Sequence, residues 1–119
     1  MFYGMVGLET VDVSGLNTEN VVNMSSMFEG CMSLKHLDLS TFDTSSTISM
    51  NSMFRWCENL ETLNINNFSF NRVKESVYNY YFMFEGTTYN NKLNIIVNPN
   101  IVNFMINNLH IPEGDLTIK

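Results

Sequence analysis

The sequence predicts an α/β repeat fold, a solenoid of about four coils in which each coil contributes a short strand and a short helix. The pair Met-Phe begins at Met1, Met27 and Met53, so the period is 26 residues. Large apolar residues fall in register under this period, and each copy alternates apolar with polar residues before a segment rich in helix N-cap residues. One such unit cannot bury its apolar side alone, whereas stacked copies bury it jointly.

The apolar columns are strong evidence for stacking, because chance similarity would not place every large apolar residue in register. Burying a large apolar side chain contributes roughly 1.5–3 kcal/mol, so a few coils suffice for a small stable core. The columns are Leu8, Leu34 and Leu60; Val11, Leu37 and Leu63; Val13, Leu39 and Ile65; and Leu16, Phe42 and Phe68.

The first part of each copy predicts a strand. The stretches LETVDV, LKHLDL and LETLNI alternate apolar and polar residues, which is strand periodicity. In the first copy Val11 and Val13 are expected to point into the core. Thr10, Asp12 and Ser14 are then expected to point outward, so the outward positions form one polar face across the copies.

The second part of each copy predicts a short helix. The segments NTEN, DTSS and SFNR are rich in N-cap residues, and Val21, Met24 and Phe28 lie at i, i+3 and i+7 on one helical face. Shortly after the Met-Phe pair comes a glycine, as a left-handed helix C-cap would favour, and Trp56 takes this place in the third copy. The glycines are Gly4, Gly30 and Gly86.

The fourth copy begins at Met83 rather than at residue 79. The four extra residues correspond to about one helical turn, so the third helix is expected to be one turn longer with its inward face kept. That face comprises Val73, Val77, Tyr80 and Phe84.

The chain is expected to form one domain, residues 1–119, with coils starting at residues 1, 27, 53 and 83. Leu93 and Ile95 fall where the fourth strand is expected. Beyond them the turn-forming NPN precedes a predicted helix in IVNFMINNL and a strand-like run in IPEGDLTIK. This tail, about 99–119, is expected to be an atypical C-terminal cap.

Met27 to Phe54 resembles, nearly throughout, the 26-residue repeat of the BspA-type leucine-rich-repeat group and of related mycoplasma-type lipoproteins. The shared sequence pattern is Met-Phe-x-Gly-Cys, followed by Leu-x-x-Leu-Asp-Leu-Ser-x-Phe-Asp-Thr-Ser and then by Met-x-x-Met-Phe. About two thirds of the chain is covered, and beyond Val73 only residues 83–86 and 93–95 match. The resemblance implies a leucine-rich-repeat-like solenoid on a cell surface or secreted, acting in adhesion to host proteins or other cells. It brings no catalytic residues.

Composition and motifs exclude several classes of function. Net charge is −6 and the isoelectric point is about 4.6, so nucleic acid is not an expected partner. No run of 18 apolar residues predicts a membrane span, and no signal peptide is visible after Met1. No catalytic, nucleotide-binding or zinc-spacing motif occurs, so we expect no enzyme activity, no cofactor and no metal. The 18 asparagines and the low charged fraction of 15% predict a surface of Asn, Ser and Thr.

Cys31 and Cys57 occupy the same position in adjacent copies and allow two interpretations. One is a disulfide between coils, which suits an exported protein. The other, which is favoured, is a pair of buried thiols that fill one core column, as Met5 does in the first copy. On packed helices the two positions would be roughly 9–10 Å apart, beyond the about 7 Å limit for a disulfide.

The polar strand face is the first candidate binding surface. Its aspartates are expected to stack as a ladder, which either holds a cation or ligand or, as is favoured, is a solvated face. The ladder comprises Asp12, Asp38, Asn64 and Asn94. His36 is expected to be an ordinary surface residue. The candidate protein-binding residues here are Thr10, Asp12, Ser14, His36, Asp38, Ser40, Thr62, Asn64 and Asn66.

The aromatic stretch VYNYYFMF is the second candidate. With Val73 inward, Phe82 points nearly opposite and Tyr78 lies beside it at i−4. The pair either makes a local contact with Trp56 or the C-terminal segment, or forms an exposed aromatic patch of the type that anchors interfaces. Tyr78 and Phe82 are therefore candidate protein-binding residues.

The sequence thus predicts a non-catalytic binding module of a bacterial surface or secreted protein, with a protein ligand on a host or neighbouring cell. The alternative is a structural spacer, a fragment of a longer repeat array. Because Met1-Phe2 already belongs to a repeat, the apolar edge of the first coil is expected to be uncovered and to support a homodimer. That edge comprises Val11, Val13, Leu16 and Val21.

Overall fold

The computed structural model describes residues 2–87 and 93–119, so the predicted coil start at Met1 lies outside the described residues. Four strands form one parallel sheet in which each strand pairs with the next one along the chain, in the order β1-β2-β3-β4. They are β1, His36–Asp38; β2, Thr62–Asn64; β3, Asn94–Val97; and β4, Leu116–Ile118. The helical segments are α1, Val102–Asn107, and 3₁₀ turns at Val73–Glu75, Val77–Asn79, Pro99–Ile101 and Glu113–Asp115.

The sheet pairs equivalent positions of successive copies. Leu37 lies opposite Leu63, as the predicted column requires, and Leu63 lies opposite Ile95, so one apolar column runs through three strands. All three side chains are buried, while their neighbours in β1 and β2 are exposed or half-buried, as strand alternation requires. In the first copy the predicted strand is reduced to a single bridge between Thr10 and His36.

The side of each copy opposite the sheet consists of turns. The predicted short helix is therefore wrong for residues 21–30 and 47–56. Phe28 N–H donates to the Met53 carbonyl at 2.9 Å, and Phe54 N–H donates to the Met83 carbonyl at 2.9 Å. A helix would satisfy these backbone groups internally, whereas the turns satisfy them between copies.

The phenylalanines of the Met-Phe pairs stack from copy to copy. The ring centroids of Phe2, Phe28, Phe54 and Phe84 are 5.3, 6.0 and 5.2 Å apart in sequence order. These distances are close to the spacing of hydrogen-bonded strands, about 4.8 Å, and well below the about 8–10 Å of packed helices. Neighbouring copies therefore lie about one strand spacing apart on both sides of the stack.

The lengthened third copy contains two 3₁₀ turns, Val73–Glu75 and Val77–Asn79, rather than an α-helix with one extra turn. Val73 is completely buried there, Tyr80 packs half-buried against the core, and Phe84 is buried, as predicted. Val77 was predicted to point inward and is 55% exposed. The prediction fails because Ser76 is extended, with φ −148° and ψ 139°, which interrupts the helical phase between the two 3₁₀ turns.

The C-terminal tail covers the last copy and also extends the sheet. The positions predicted for its helix and strand contain α1 and β4. Met105 and Ile111 are buried against the core. Leu116 pairs with Ile95, which adds β4 as a further strand and leaves Ile118 54% exposed at its edge.

Cys31 and Cys57 are free and buried, as the favoured interpretation predicts. Met5, which was expected to fill the same core column in the first copy, is instead 45% exposed. The Cys31 thiol donates to the Phe2 carbonyl at 3.0 Å, and the Cys57 thiol donates to the Phe28 carbonyl at 3.1 Å. The predicted separation on packed helices is wrong, because both residues lie on stacked turns. Each thiol instead forms a hydrogen bond between copies.

Candidate functional site

The polar strand face brings together one row of predicted residues. Register places His36 opposite Thr62, and Thr62 opposite Asn94. His36 Nδ1 and Thr62 Oγ1 are 2.7 Å apart, and Thr117 Oγ1 donates to Asn94 Oδ1 at 2.9 Å. With the bridge at Thr10, the row runs across the whole sheet. His36 is exposed, as expected for a surface residue.

The predicted ladder of aspartates and asparagines is wrong at its last member. Asn64 pairs with Ile96, whereas Asn94 stands two pairs earlier, beside Thr62. The reason is a two-residue difference in spacing, since Leu63 lies ten residues after Met53, whereas its partner Ile95 lies twelve residues after Met83. An apolar side chain therefore ends the polar column.

The two aspartates of this face serve the turns that follow them. Asp12 Oδ1 accepts from the Ser14 N–H at 3.0 Å, and Asp38 Oδ1 accepts from the Ser40 N–H at 2.9 Å. Hydrogen bonds from the side chains and backbones of these serines lower the pKa of both carboxyl groups. The carboxylates are thus engaged within their own copies, as side chains of this type are in turns.

The same turn recurs in the third copy, where Asn64 Oδ1 accepts from the Asn66 N–H at 3.0 Å. Across the described ranges, no group of three His, Cys, Asp or Glu side chains is placed to hold a metal ion. The face forms a shallow groove of about 380 Å³. Its lining includes Thr10, His36, Asp38, Thr62, Asn64 and Ile96.

A second surface, here named the aromatic surface, consists of Arg55, Trp56, Tyr78, Tyr81 and Phe82. Tyr78 is 76% exposed, Phe82 50% and Trp56 36%. The Tyr81 and Phe82 ring centroids are 4.8 Å apart, and Tyr78 meets Tyr81 edge-on at 6.3 Å. Tyr78 and Phe82 are both exposed, as the patch alternative expects, and Phe82 is also joined to Trp56 through Arg55.

Arg55 joins the rings of this surface. Its guanidinium carbon lies 4.9 Å from the Phe82 ring centroid and 5.5 Å from that of Trp56, both within cation–π range. The same side chain lies between Glu29 at 3.7 Å and Glu85 at 3.3 Å. Arg55 Nε and Glu85 Oε2 are buried without a hydrogen-bond partner. The three charges alternate along one column of equivalent positions.

Trp56 and Phe82 both have a left-handed backbone conformation, with φ of 62° and 57°. The positions equivalent to Trp56 carry glycine, and those equivalent to Phe82 carry serine, also left-handed. They are Gly4, Gly30 and Gly86, and Ser26 and Ser52. A left-handed conformation costs a residue with a β-carbon roughly 1–2 kcal/mol, so these two aromatic residues sit at strained places.

The sequence signal for this surface was partial. The departure from glycine at Trp56 is visible in the repeat, but it did not identify Trp56 as a surface residue. Phe82 aligns with Ser52 only when the four inserted residues are placed before it, as the hydrogen bond from Ser52 N–H to the Tyr81 carbonyl requires. Arg55 and Tyr81 were missed. Arg55 contacts residues distant in sequence, whereas the contacts of Tyr81 with Tyr78 and Phe82 lie within the aromatic stretch itself.

These features define a small repeat protein that carries a polar strand face and an aromatic surface on a parallel sheet and its stacked turns. The chain belongs to the family described as Mycoplasma protein of unknown function, DUF285, whose model matches residues 1–110. No curated protein and no solved structure matches the chain. Within residues 2–87 and 93–119, no helix has the length and apolar character needed to cross a membrane.

Proposed function

We propose that the chain is a non-catalytic binding module of a bacterial surface or secreted protein, whose aromatic surface binds a protein ligand on a host or neighbouring cell. The observation that carries this proposal is the strained backbone beneath Trp56, where other copies carry glycine. Phe82 shares its left-handed conformation with Ser26 and Ser52 and differs from them in its large exposed ring. Strain of this kind persists where a side chain serves a purpose other than stability.

The composition of the aromatic surface supports a protein ligand. Trp, Tyr and Arg are the residues that most often dominate binding energy at protein interfaces. Tyr78 and Phe82 offer large exposed rings, and Arg55 is held in place by Glu29 and Glu85. Because the rings contact one another and the guanidinium, little side-chain freedom remains to be lost on binding.

The proposed architecture is the leucine-rich-repeat-like solenoid that the resemblance implies. The in-register parallel sheet and the backbone bonds between copies support it. Display on a cell surface, or secretion, belongs to the same proposal and rests on the resemblance to surface-protein repeats.

The test compares binding of fluorescently labelled protein to cultured epithelial cells, with protease-treated cells as the control for a protein ligand. The double variant Trp56→Gly, Phe82→Ser restores the residues that other copies use, so it is expected to keep its fold and to lose most of its binding. Ile118→Ser removes a similarly exposed apolar side chain at the far edge of the sheet and is expected to bind like the wild type.

The second candidate is a structural spacer within a repeat array. The backbone bonds that continue from copy to copy favour it, since such stacks extend without a ligand. A spacer would show no saturable binding to cells. Binding that survives the aromatic double variant but is lost on His36→Ser would assign the site to the polar strand face.

A further inference from the structure

A cleft of about 700 Å³ opens between residues 66–74 of the third copy and residues 98–108 of the tail. It lies apart from the aromatic surface and shares only Asn66 with the polar strand face. Its volume is in the range of about 300–1,000 Å³ that is usual for small-ligand sites.

Asparagine dominates the lining of this cleft. Eight of its fifteen lining residues are asparagines, and a serine is among the others. An amide side chain offers two donor hydrogens and one acceptor oxygen without net charge. A hydroxyl group also both donates and accepts, so neighbouring hydroxyls on a sugar ring match neighbouring amides.

The charges around the cleft also restrict its ligand. The chain has 12 acidic and 6 basic residues. The described residues that line the cleft nevertheless include no Asp or Glu, and they do include Lys74 and Lys119. Both lysines are exposed, so neither forms a buried anion site. Uncharged hydrogen-bonding groups are therefore the main recognition elements.

Two asparagines at the base of the cleft have different roles. Asn98 Nδ2 donates to the carbonyls of Asn66 at 2.7 Å and Phe68 at 3.1 Å, which ties the tail to the third copy. Asn66 Oδ1 is buried in the wall without a hydrogen-bond partner. An acceptor left unpaired in this way costs free energy.

An aromatic ring stands beside these amides. Phe104 is half-buried, stacks on Phe70 at 4.7 Å and meets Tyr80 edge-on at 5.0 Å between ring centroids. It lines the cleft from α1. An electron-rich ring attracts the polarised C–H bonds on the flat side of a sugar, so the ring and the amides together suit one ligand chemistry.

We propose that this cleft binds a short neutral oligosaccharide, held by asparagine amides and by contact with Phe104. The site differs from the aromatic surface in place and in ligand, so the test of one proposal does not decide the other. A peptide would also bond to amides, but its side chains need alternating pockets, and this cleft is local to one copy and the tail.

The experiment is a titration of the ¹⁵N-labelled chain, followed by NMR through its backbone and asparagine side-chain amides. The probes are cellotriose, triacetylchitotriose, a heparin-derived tetrasaccharide and a Gly-Ser-Asn-Gly-Ser peptide. We expect at least one neutral trisaccharide to shift the cleft amides at millimolar concentration. No shift with either trisaccharide would overturn the proposal.

Variants of the lining residues test whether the trisaccharide binds in the cleft. Asn103→Ala with Asn107→Ala removes two exposed amides of α1 that line the cleft, and loss of two hydrogen bonds predicts about tenfold weaker binding. Asn20→Ala, at an exposed asparagine elsewhere, is the matched control and is expected to leave affinity unchanged. Equal affinity in the double variant, or binding of the heparin fragment or the peptide alone, would reject a neutral sugar site.

Discussion

The ring of Trp56 occupies the space in which a side chain on Gly86 would stand. A β-carbon built on Gly86 would lie 2.1 Å from Trp56 Cε3, closer than any non-bonded contact allows. The two residues hold equivalent positions in adjacent copies, and both are left-handed, with φ of 62° and 78°. Glycine in the last copy thus makes room for tryptophan in the one before it.

Gly86→Ala is expected to destabilise the chain more than Gly30→Ala does. Both glycines are left-handed, so alanine costs roughly 1–2 kcal/mol at either site. At Gly86 a clash with Trp56 adds about 1–3 kcal/mol, whereas a β-carbon at Gly30 meets only Gly4 Cα at an ordinary 3.5 Å. Urea unfolding measures the difference. Adding Trp56→Gly should rescue Gly86→Ala, and a failure of that rescue would contradict the clash.

Tyr80→Ala and Phe82→Ala are expected to differ in stability. Tyr80 is half-buried, contacts Phe104 and bonds to Asn108, so its loss should cost about 2–3 kcal/mol, below the about 3–5 kcal/mol of a fully buried aromatic residue. Phe82 is half-exposed at a strained position, so its loss should stay within about 0.5 kcal/mol. Chemical denaturation measures the free energy of unfolding of both variants. Equal losses of stability would contradict a half-buried Tyr80 and an exposed Phe82.

Both thiols are expected to be available for alkylation once the chain is unfolded without a reducing agent. Cys31 and Cys57 each bond to a carbonyl of the preceding copy and are not joined to each other. Mass measurement after treatment with iodoacetamide should show two added groups. A mass without them, with a bridge located by peptide mapping, would contradict the structure.

The stability of the chain is expected to fall as the pH rises above about 9. Burial, with a further contribution from nearby Cys31, raises the pKa of the Cys57 thiol to about 12. The folded pKa therefore exceeds the unfolded value of about 8.5. The contribution of this thiol to the free energy of unfolding is complete at pH values below the unfolded pKa. It is lost as the pH rises toward the folded pKa, and the free energy of unfolding then falls by up to about 1.4 kcal/mol per pH unit.

The matched control for this slope is Cys57→Thr. The equivalent position of the next copy holds Thr87, so threonine fits the surroundings of this site. Between pH 9 and 11 the wild type should lose stability faster than the variant, in unfolding experiments at each pH. Parallel pH profiles would show that Cys57 does not titrate as described.

The first copy is expected to mediate self-association. Of the apolar edge predicted to be uncovered, Val13 is buried, whereas Leu16 and Val21 are only partly buried and line an open groove of about 290 Å³ with Met24. We expect a symmetric dimer by light scattering coupled to size exclusion. Val21→Lys should shift it to monomer, while Ile118→Lys at the far edge should not. A wild type that stays monomeric at high concentration would contradict this expectation.

Much of the core could be predicted because burial recurs with the period. Leu37, Leu63 and Ile95 must face inward in every copy, so the columns of large apolar residues identify the buried positions without any knowledge of tertiary contacts. Phe82 is exposed as predicted, although Ser76 interrupts the helical phase from Val73 on which that prediction rested. The prediction for Val77 failed because one extended residue changed the phase, and no periodic pattern reveals such a residue.

The turns, and the place of Arg55 in the aromatic surface, could not be predicted, because their partners are distant in sequence. The spacing of Met24 and Phe28 suits both a helical face and a turn whose backbone bonds reach residues about one period away. Arg55 contacts Phe82 only because the four inserted residues of the third copy change which residue lies beside it. The sequence by itself determined the period and the buried columns, including the column of Cys31 and Cys57, since each depends on residue type at a recurring position. Only the tertiary structure decided where the backbone hydrogen bonds go, and therefore how close the copies lie and which side chains meet on the surface.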